Sequence, residues 1–149
     1  MIPIRAHIVS CVLLAQINGN LKMLMMKRVK GDFWCHVAGK VEPGETAYTA
    51  ILREVKEETQ IQVQQLFNAD YLEQFYEAHS NVIELIPAFV GYCQDDQVVQ
   101  LNHEHTDYVW CDLEQAKARA RYANQRQLYD FVWQHFVLRA AEPHLQIAT

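Results

Sequence analysis

Three glutamates near the middle of the chain, Glu54, Glu57 and Glu58, have the spacing of a metal-binding helix face. Residues 46–59 contain good helix formers and neither Gly nor Pro, which predicts a helix. Its apolar stripe consists of Ala47, Ala50, Ile51 and Val55. At about 100° per residue, Glu58 falls inside this stripe and Glu54 falls at its edge. Because a carboxylate is rarely buried unpaired and Mg²⁺ prefers oxygen ligands, the helix predicts a divalent-metal site.

The alternative interpretation of this helix is a solvated charged face, on which Arg53 and Lys56 compensate the glutamates. The segment before the helix favours the metal. Residues 39–45 contain two glycines and one proline, which predicts a loop, and Gly39 lets backbone groups approach a ligand closely. A loop that leads into a helix N-terminus suits anions, and Lys40 adds a phosphate-binding charge. Together, the loop and the helix predict a site for metal-bridged phosphates.

The whole of residues 39–61 resembles the Nudix box, G-x5-E-x7-R-E-U-x-E-E-x-G-U, in which U is a bulky aliphatic residue. The first glycine, the fixed charged positions and both aliphatic positions match, and Gln60 replaces the second glycine. Since a glycine after a helix commonly takes the left-handed conformation, glutamine there is expected to cost about 1 kcal/mol. The resemblance implies an α/β (α+β) fold, the Nudix-type α/β/α sandwich with a mixed β-sheet, as a single domain over residues 1–149.

The same resemblance implies roles for individual residues. The metal ligands would be Glu54, Glu57, Glu58 and the carbonyl of Gly39. Arg53 corresponds to the arginine that orients a catalytic glutamate. The catalytic base would be a glutamate, either Glu57 or Glu58 within the box or Glu104 in a later loop. The implied cofactor is Mg²⁺, and Mn²⁺ is the expected substitute.

Further candidates for substrate contact lie outside the box. The candidates to stack on a substrate ring are Phe33, Trp34, Phe75 and Tyr76, and the alternative for each is a core position. Arg28 closes a predicted strand and is expected to contact phosphates, with an ordinary surface charge as the alternative. His103 and His105 flank Glu104 and would suit a transition metal, but no third partner is evident in the sequence.

The implied reaction is attack of water on a phosphorus of a diphosphate linkage in a nucleoside-triphosphate-like substrate, which gives a monophosphate and pyrophosphate. A weaker resemblance to bacterial dihydroneopterin triphosphate and nucleoside triphosphate pyrophosphohydrolases rests on residues 24–45, which include 32–34, on residues 124–127, and on the non-glycine residue at Gln60. The alternatives are hydrolysis of nucleotide sugars or dinucleoside polyphosphates, and a non-catalytic nucleotide sensor. Sensors usually lose box carboxylates, and this chain retains all of them.

Composition limits the other classes of function. The chain has 149 residues, 50% of them hydrophobic, and a net charge of −5, which favours a folded domain with a substantial core. The acidic balance argues against a nucleic-acid polymer as partner and leaves a small phosphorylated molecule, while a homodimer stays open. No apolar run approaches the roughly 18 residues of a membrane span, and no signal peptide is evident, so we expect a cytoplasmic protein. Its four cysteines are expected to be reduced and buried.

The elements that must position these residues alternate along the chain. Strands are predicted over residues 4–17, 21–29, 33–38, 61–76, 82–92 and 109–111. Asn18 and Gly19 predict a tight hairpin, and Pro87 indicates a sheet edge or a bulge. Later helices are predicted over residues 112–120 and 124–138, and residues from 142 onward are expected to be frayed. This order favours a mixed sheet flanked by helices.

Overall fold

The structure, a computed structural model, describes residues 1–149. Its nine strands are β1 (Ile4–Arg5), β2 (Ile8–Ile17), β3 (Asn20–Arg28), β4 (Trp34–Cys35), β5 (Val37–Lys40), β6 (Gln65–Glu77), β7 (Val82–Tyr92), β8 (His105–Cys111) and β9 (Gln146–Ile147). Its helices are α1 (Ala47–Thr59), α2 (Leu113–Arg119) and α3 (Ala123–Val132), followed by a π-helical turn (Trp133–Val137) and a 3₁₀ turn (Pro143–Leu145). None of them is long and apolar enough to cross a membrane.

All nine strands join one mixed sheet. Its main order is β4-β3-β2-β7-β6-β9, while β1 pairs with β7, β5 with β2, and β8 with β3. The hairpin between β2 and β3 turns at Asn18 and Gly19, which both have positive φ, as the predicted tight turn requires. These two strands pair only near the turn, from Leu14 opposite Met23 to Ile17 opposite Asn20. Beyond that point β2 pairs with β5 and β3 pairs with β4 and β8, so the sheet opens between them.

Helices cover both faces of the sheet, which confirms the predicted α/β/α sandwich. Successive side chains of a strand point to opposite faces, so β2 contributes to two separate cores. Cys11 and Leu13 pack with the apolar stripe of α1. Val12 and Leu14 pack with Leu128 of α3 on the other face. The opening between β2 and β3 is therefore flanked by helices on both sides.

Several predicted boundaries are wrong for local reasons. The predicted loop over residues 39–45 is shorter, because β5 extends through Gly39 and Lys40 to pair with β2. The strand predicted from residue 61 begins at Gln65, and the final helix changes to a π-helical turn after Val132. Residues after Glu142 are not frayed, since β9 pairs with β6.

Pro87 does not mark an edge, because β7 lies inside the sheet and pairs on both sides. The pairing of β6 with β7 is irregular between Asn68 and Leu72, next to the proline that donates no backbone hydrogen bond. The predicted bulge is therefore present, but in the partner strand. All four cysteines are free, and Cys35 alone is only half-buried.

Candidate active site

The box segment forms a loop followed by a helix with defined ends. Thr46 caps α1, because its hydroxyl accepts a hydrogen bond from the backbone N–H of Thr49 at 3.3 Å. Gln60 ends the helix with left-handed backbone, φ 59°, and its N–H donates to the carbonyl of Lys56. The departure from the box at Gln60 thus keeps the backbone conformation that favours glycine. Helix termination is preserved despite the substitution.

Arg53 joins α1 to the preceding loop. Its guanidinium donates to both carboxylate oxygens of Glu45, at 2.7 and 2.9 Å, and to the carbonyl of Lys40 at 2.9 Å. The hydrogen bonds from Arg53 lower the pKa of Glu45 to about 2. One nitrogen of the same guanidinium donates to Glu54 at 2.9 Å and to Glu57 at 3.3 Å. Arg53 therefore holds two box glutamates together without itself lining the neighbouring pocket.

Gly39 lies directly against Glu54. A Cβ atom at position 39 would lie 2.1 Å from Cδ and 2.5 Å from Oε2 of Glu54, closer than real side chains approach each other. A side chain at position 39 would therefore displace the Glu54 carboxylate from its place between β5 and α1. The absence of a side chain brings the Glu54 carboxylate beside the backbone of the loop, as the sequence prediction of a shared metal site requires.

Glu58 is the most deeply buried of the box glutamates, with 2% of the residue exposed. Its Oε1 lies 3.7 Å from Nε2 of His105, and its Oε2 has no hydrogen-bond partner. Burial, together with the carboxylates of Glu54 and Glu104, raises the pKa of Glu58 well above its ordinary value. Ligand atoms of Glu58, Glu104 and His105 all lie within 4.8 Å of one another. An unpaired buried carboxylate among like charges fits a divalent cation.

The other predicted residues divide between the pocket and its outside. Arg28 and Lys40 line the same pocket as Glu58. The side chain of Glu57 is 55% exposed and lies outside the lining, on the side of Arg53. Of the two histidines, His105 joins the carboxylate cluster, whereas His103 is exposed and lies outside it.

Trp34 does not face the pocket. It packs against the core beneath α2 and α3, and the Arg119 guanidinium carbon lies 5.4 Å from the centre of its ring. Phe33 and Cys35 line the pocket instead, because neighbouring side chains of an extended segment point to opposite faces. Of these two candidates from the sequence, Phe33 therefore lines the pocket and Trp34 does not.

The pocket has a volume of about 780 Å³, and its lining includes Ile8 and Ser10 of β2 and Arg28 of β3. Its charged end contains the cluster of Glu58, Glu104 and His105, with Arg28 close enough to act on the charge of Glu58, and Lys40 also lines the pocket. Aromatic residues form much of its wall, namely Phe33, Phe75, Tyr76 and Tyr122. This size suits a ligand with a ring and a phosphate chain.

A second buried carboxylate, Glu73, lines the same pocket with 5% of the residue exposed. Its Oε2 accepts hydrogen bonds from the Ser10 hydroxyl and from Nε2 of His36, the latter at 3.3 Å. Nδ1 of His36 lies 2.8 Å from the Tyr129 hydroxyl. Burial acts to raise the pKa of Glu73, but the charge of His36 and the hydrogen bonds from His36 and Ser10 outweigh it and lower the pKa.

Ser10, His36 and Glu73 were not predicted from the sequence. A signal existed for Glu73, because residues 67, 69 and 73 have the same parity along β6 and the first two are core residues. The irregularity in β6 adds two residues, which preserves the alternation of side chains. A carboxylate at such a position is unusual and marks a polar site. Ser10 and His36 carry no such signal before the pairing of β2 with β5 is known.

Comparisons with known proteins identify a family for this chain. The NUDIX domain matches residues 6–132 of this chain. The asymmetrical bis(5'-nucleosyl)-tetraphosphatase of Caenorhabditis elegans is 32% identical over 120 residues, which are 78% of this chain and 86% of the relative. The dihydroneopterin triphosphate diphosphatase of Escherichia coli K12 is 32% identical over 130 residues, which are 80% of this chain and 84% of the relative.

Solved structures give the same result. The Ap4A hydrolase of C. elegans in a binary complex superposes with a TM-score of 0.75 at 27% identity, over 85% of this chain and 94% of the other. The dihydroneopterin triphosphate pyrophosphohydrolase of E. coli superposes with a TM-score of 0.74 at 29% identity, over 94% of this chain and all of the other. With the box on α1, these matches show that this chain belongs to the Nudix family and is a pyrophosphohydrolase.

Proposed function

We propose that this chain uses Mg²⁺ to hydrolyse a nucleoside-triphosphate-like substrate to a monophosphate and pyrophosphate. The observation that carries the proposal is Glu58, a buried carboxylate with one unpartnered oxygen, at the charged end of a pocket with aromatic walls. The two relatives named above act on dihydroneopterin triphosphate and on bis(5'-nucleosyl) tetraphosphates, and both substrates contain a diphosphate linkage.

The residues that would hold the cation offer only oxygen atoms, which suits Mg²⁺ and also Mn²⁺. They are Glu54, Glu57, Glu58 and the carbonyl of Gly39. Glu54 and Glu57 both contact one nitrogen of Arg53, so the two carboxylates converge although Glu57 is exposed. When bound, such a cation neutralises phosphate charge and lowers the pKa of an attacking water.

In the proposed reaction, a water oxygen attacks a phosphorus of the diphosphate linkage, the bridging P–O bond breaks, and pyrophosphate leaves. Glu104 accepts the proton of that water, because it is the exposed carboxylate of the group that also contains Glu58 and His105. Arg28 and Lys40 bind the phosphate oxygens from the pocket wall. Arg53 is a positioning residue, since its contacts are to glutamates and the loop.

The test is turnover of a substrate panel with Mg²⁺, with EDTA as control and products identified by mass. The panel contains the common nucleoside triphosphates, dihydroneopterin triphosphate, a nucleotide sugar and a dinucleoside tetraphosphate. We expect release of pyrophosphate from a triphosphate. Faster cleavage of the tetraphosphate would favour a second candidate function, the hydrolysis of dinucleoside polyphosphates, which the C. elegans relative supports. No Mg²⁺-dependent turnover of any member would contradict the proposal.

The whole chain is proposed to act as one domain. β1 lies near the N-terminus and β9 near the C-terminus, and both pair within the same nine-stranded sheet. Removal of either strand is therefore expected to lower the free energy of unfolding of the entire chain, measured by chemical denaturation. Two separate unfolding transitions in the intact chain would contradict this.

A further inference from the structure

We propose that Glu73 selects the ring of the substrate and favours a 2-amino-4-oxo-pyrimidine ring, the ring edge shared by guanine and pterins. The inference rests on the proposed function, which places the phosphates at the Glu58 end of the pocket. The ring then occupies the remaining part, where Glu73 and the aromatic wall lie. Glu73 would contact the substrate but not the reacting phosphorus.

The geometry of Glu73 leaves one oxygen for a ligand. Both of its hydrogen bonds go to Oε2, from Ser10 and from His36. Its Oε1 makes no hydrogen bond within the chain, although the residue is 5% exposed and lines the pocket. When a ligand fills the pocket and excludes water from this oxygen, a donor on the ligand must match it, because an unmade hydrogen bond to a charged group is costly. The occupant must therefore present N–H or O–H groups at this place.

The surroundings of Glu73 keep it an acceptor. Ser10 and His36 fix the orientation of the carboxylate, and the hydroxyl of Tyr129 fixes the imidazole from its other nitrogen at 2.8 Å. These groups belong to β2, β6, α3 and the segment before β5, so the arrangement is held by four parts of the fold. An ionised carboxylate only accepts hydrogen bonds, which makes the site selective for donors.

Ring chemistry then discriminates between substrates. A 2-amino-4-oxo-pyrimidine ring presents a ring N–H beside an amino group, which are two adjacent donors. Adenine presents an amino group beside a bare ring nitrogen, whose lone pair would face the negative oxygen. Stacking on Phe33, Phe75 or Tyr76 would hold any flat ring and does not discriminate. The selection among rings is therefore assigned to Glu73.

The glutamine variant makes a sharp test because of what holds Oε2. The donors Ser10 and His36 would keep the amide oxygen of Glu73→Gln in the Oε2 place, so its NH₂ group would face the pocket. An acceptor would become a donor, which repels the ring N–H of guanine and suits the bare nitrogen of adenine. The matched control is Glu84→Gln. Glu84 is also buried, 2% exposed, but it pairs with Arg5 and lies outside the pocket lining.

The experiment measures kcat and KM for GTP, ITP, ATP and dihydroneopterin triphosphate in the wild type and both variants. We expect the wild type to favour GTP over ATP by about 10- to 100-fold in kcat/KM, with ITP, which lacks the amino group, between them. Glu73→Gln should erase or invert the ratio, mainly through KM, and Glu84→Gln should keep it. The ratio of kcat/KM for dihydroneopterin triphosphate to kcat/KM for GTP shows whether the preferred substrate carries this ring in a pterin or in guanine.

An unchanged GTP-to-ATP ratio in Glu73→Gln, or a wild-type preference for ATP, would overturn the inference. If Glu73→Gln does not fold, Ser10→Ala removes one hydrogen bond on Oε2, and a loss of about threefold or more in the ratio is expected. If no triphosphate is hydrolysed, the proposed function fails separately. In that case, tryptophan fluorescence measures the equilibrium binding of GTP and of ATP. Equal affinities for the two nucleotides would overturn the inferred ring preference.

Discussion

Two buried carboxylates at one pocket differ in how the protein treats their charge. Glu58 and Glu73 are 2% and 5% exposed, so burial disfavours the ionised form of both. The pKa of Glu58 is raised, as burial alone would make it, whereas the pKa of Glu73 is lowered. The burial of a carboxylate therefore does not determine its protonation, and the neighbouring groups do.

The neighbours explain the difference. Glu73 receives hydrogen bonds from Ser10 and His36, so the chain itself compensates its charge. Glu58 faces the like charges of Glu54 and Glu104 and has an unpartnered oxygen. The Glu58 end is thus incomplete without a cation, while the Glu73 end is complete except for a donor on the ligand. Under the two proposals above, one pocket combines a site for a cation with a site for N–H groups of the substrate.

The largest expected effect is at the incomplete end. Glu58→Gln should lower kcat by about a hundredfold or more, because it removes a metal ligand. The free energy of unfolding of the metal-free variant should equal or exceed that of the wild type, since an unpaired buried carboxylate is destabilising. Steady-state kinetics and urea denaturation check the two parts.

Thermal unfolding with and without Mg²⁺ provides the control for Glu58. Mg²⁺ should raise the Tm of the wild type and of Glu84→Gln, because a ligand that binds the folded state stabilises it. The Tm of Glu58→Gln should rise much less. A variant with near wild-type kcat and an unchanged Mg²⁺ response would remove Glu58 from the metal site.

Gly39→Ala should show the next largest effect, again at the Glu58 end. Its new Cβ would overlap Glu54, whose flexible side chain can move aside at little cost in stability. We expect a loss of about tenfold or more in kcat/KM, with a loss of about 1 kcal/mol or less in the free energy of unfolding. A loss of several kcal/mol in the free energy of unfolding, together with the loss in kcat/KM, would instead show that Gly39 serves packing alone.

At the other end of the pocket, Glu73 should make the stability of the protein depend on pH. The folded pKa of Glu73 is below its ordinary value of 4.5, so its stabilising contribution is fully present above that value. It is lost as pH falls through the lower, folded pKa. Glu73→Gln should therefore be less stable than the wild type by about 1–3 kcal/mol at pH 7, and this difference should shrink below about pH 4.5. Denaturation curves from pH 3 to 7 measure it, and a difference that grows toward low pH would contradict the assignment.

The same two carboxylates show what the sequence can predict. Glu58 was assigned to the site because helix periodicity is local, and its position in an apolar stripe is visible within four turns. Glu73 was missed because its partners are distant in the chain, Ser10 by 63 positions and His36 by 37. The pairing of β6 with β7 and of β2 with β7 and β5 brings them together. The exclusion of Trp34 from the pocket has the same origin, since the register of β4 decides which of two adjacent aromatic residues faces the pocket.

The smallest expected effect is at Gln60, where a substitution should change the stability of α1 without changing the function of its glutamates. Gln60 ends the helix two residues after Glu58, in left-handed backbone that glycine adopts without strain. Gln60→Gly should raise the free energy of unfolding by about 0.5–1 kcal/mol, because the gain from relieved strain exceeds the entropy that glycine adds to the unfolded chain. Since neither carboxylate moves, kcat and the Mg²⁺ response of Tm should stay at the wild-type level. A stabilised variant with altered kcat would show that the end of α1 also sets the position of Glu58. A destabilised variant would mean that the side chain of Gln60 stabilises the fold by more than its left-handed backbone costs.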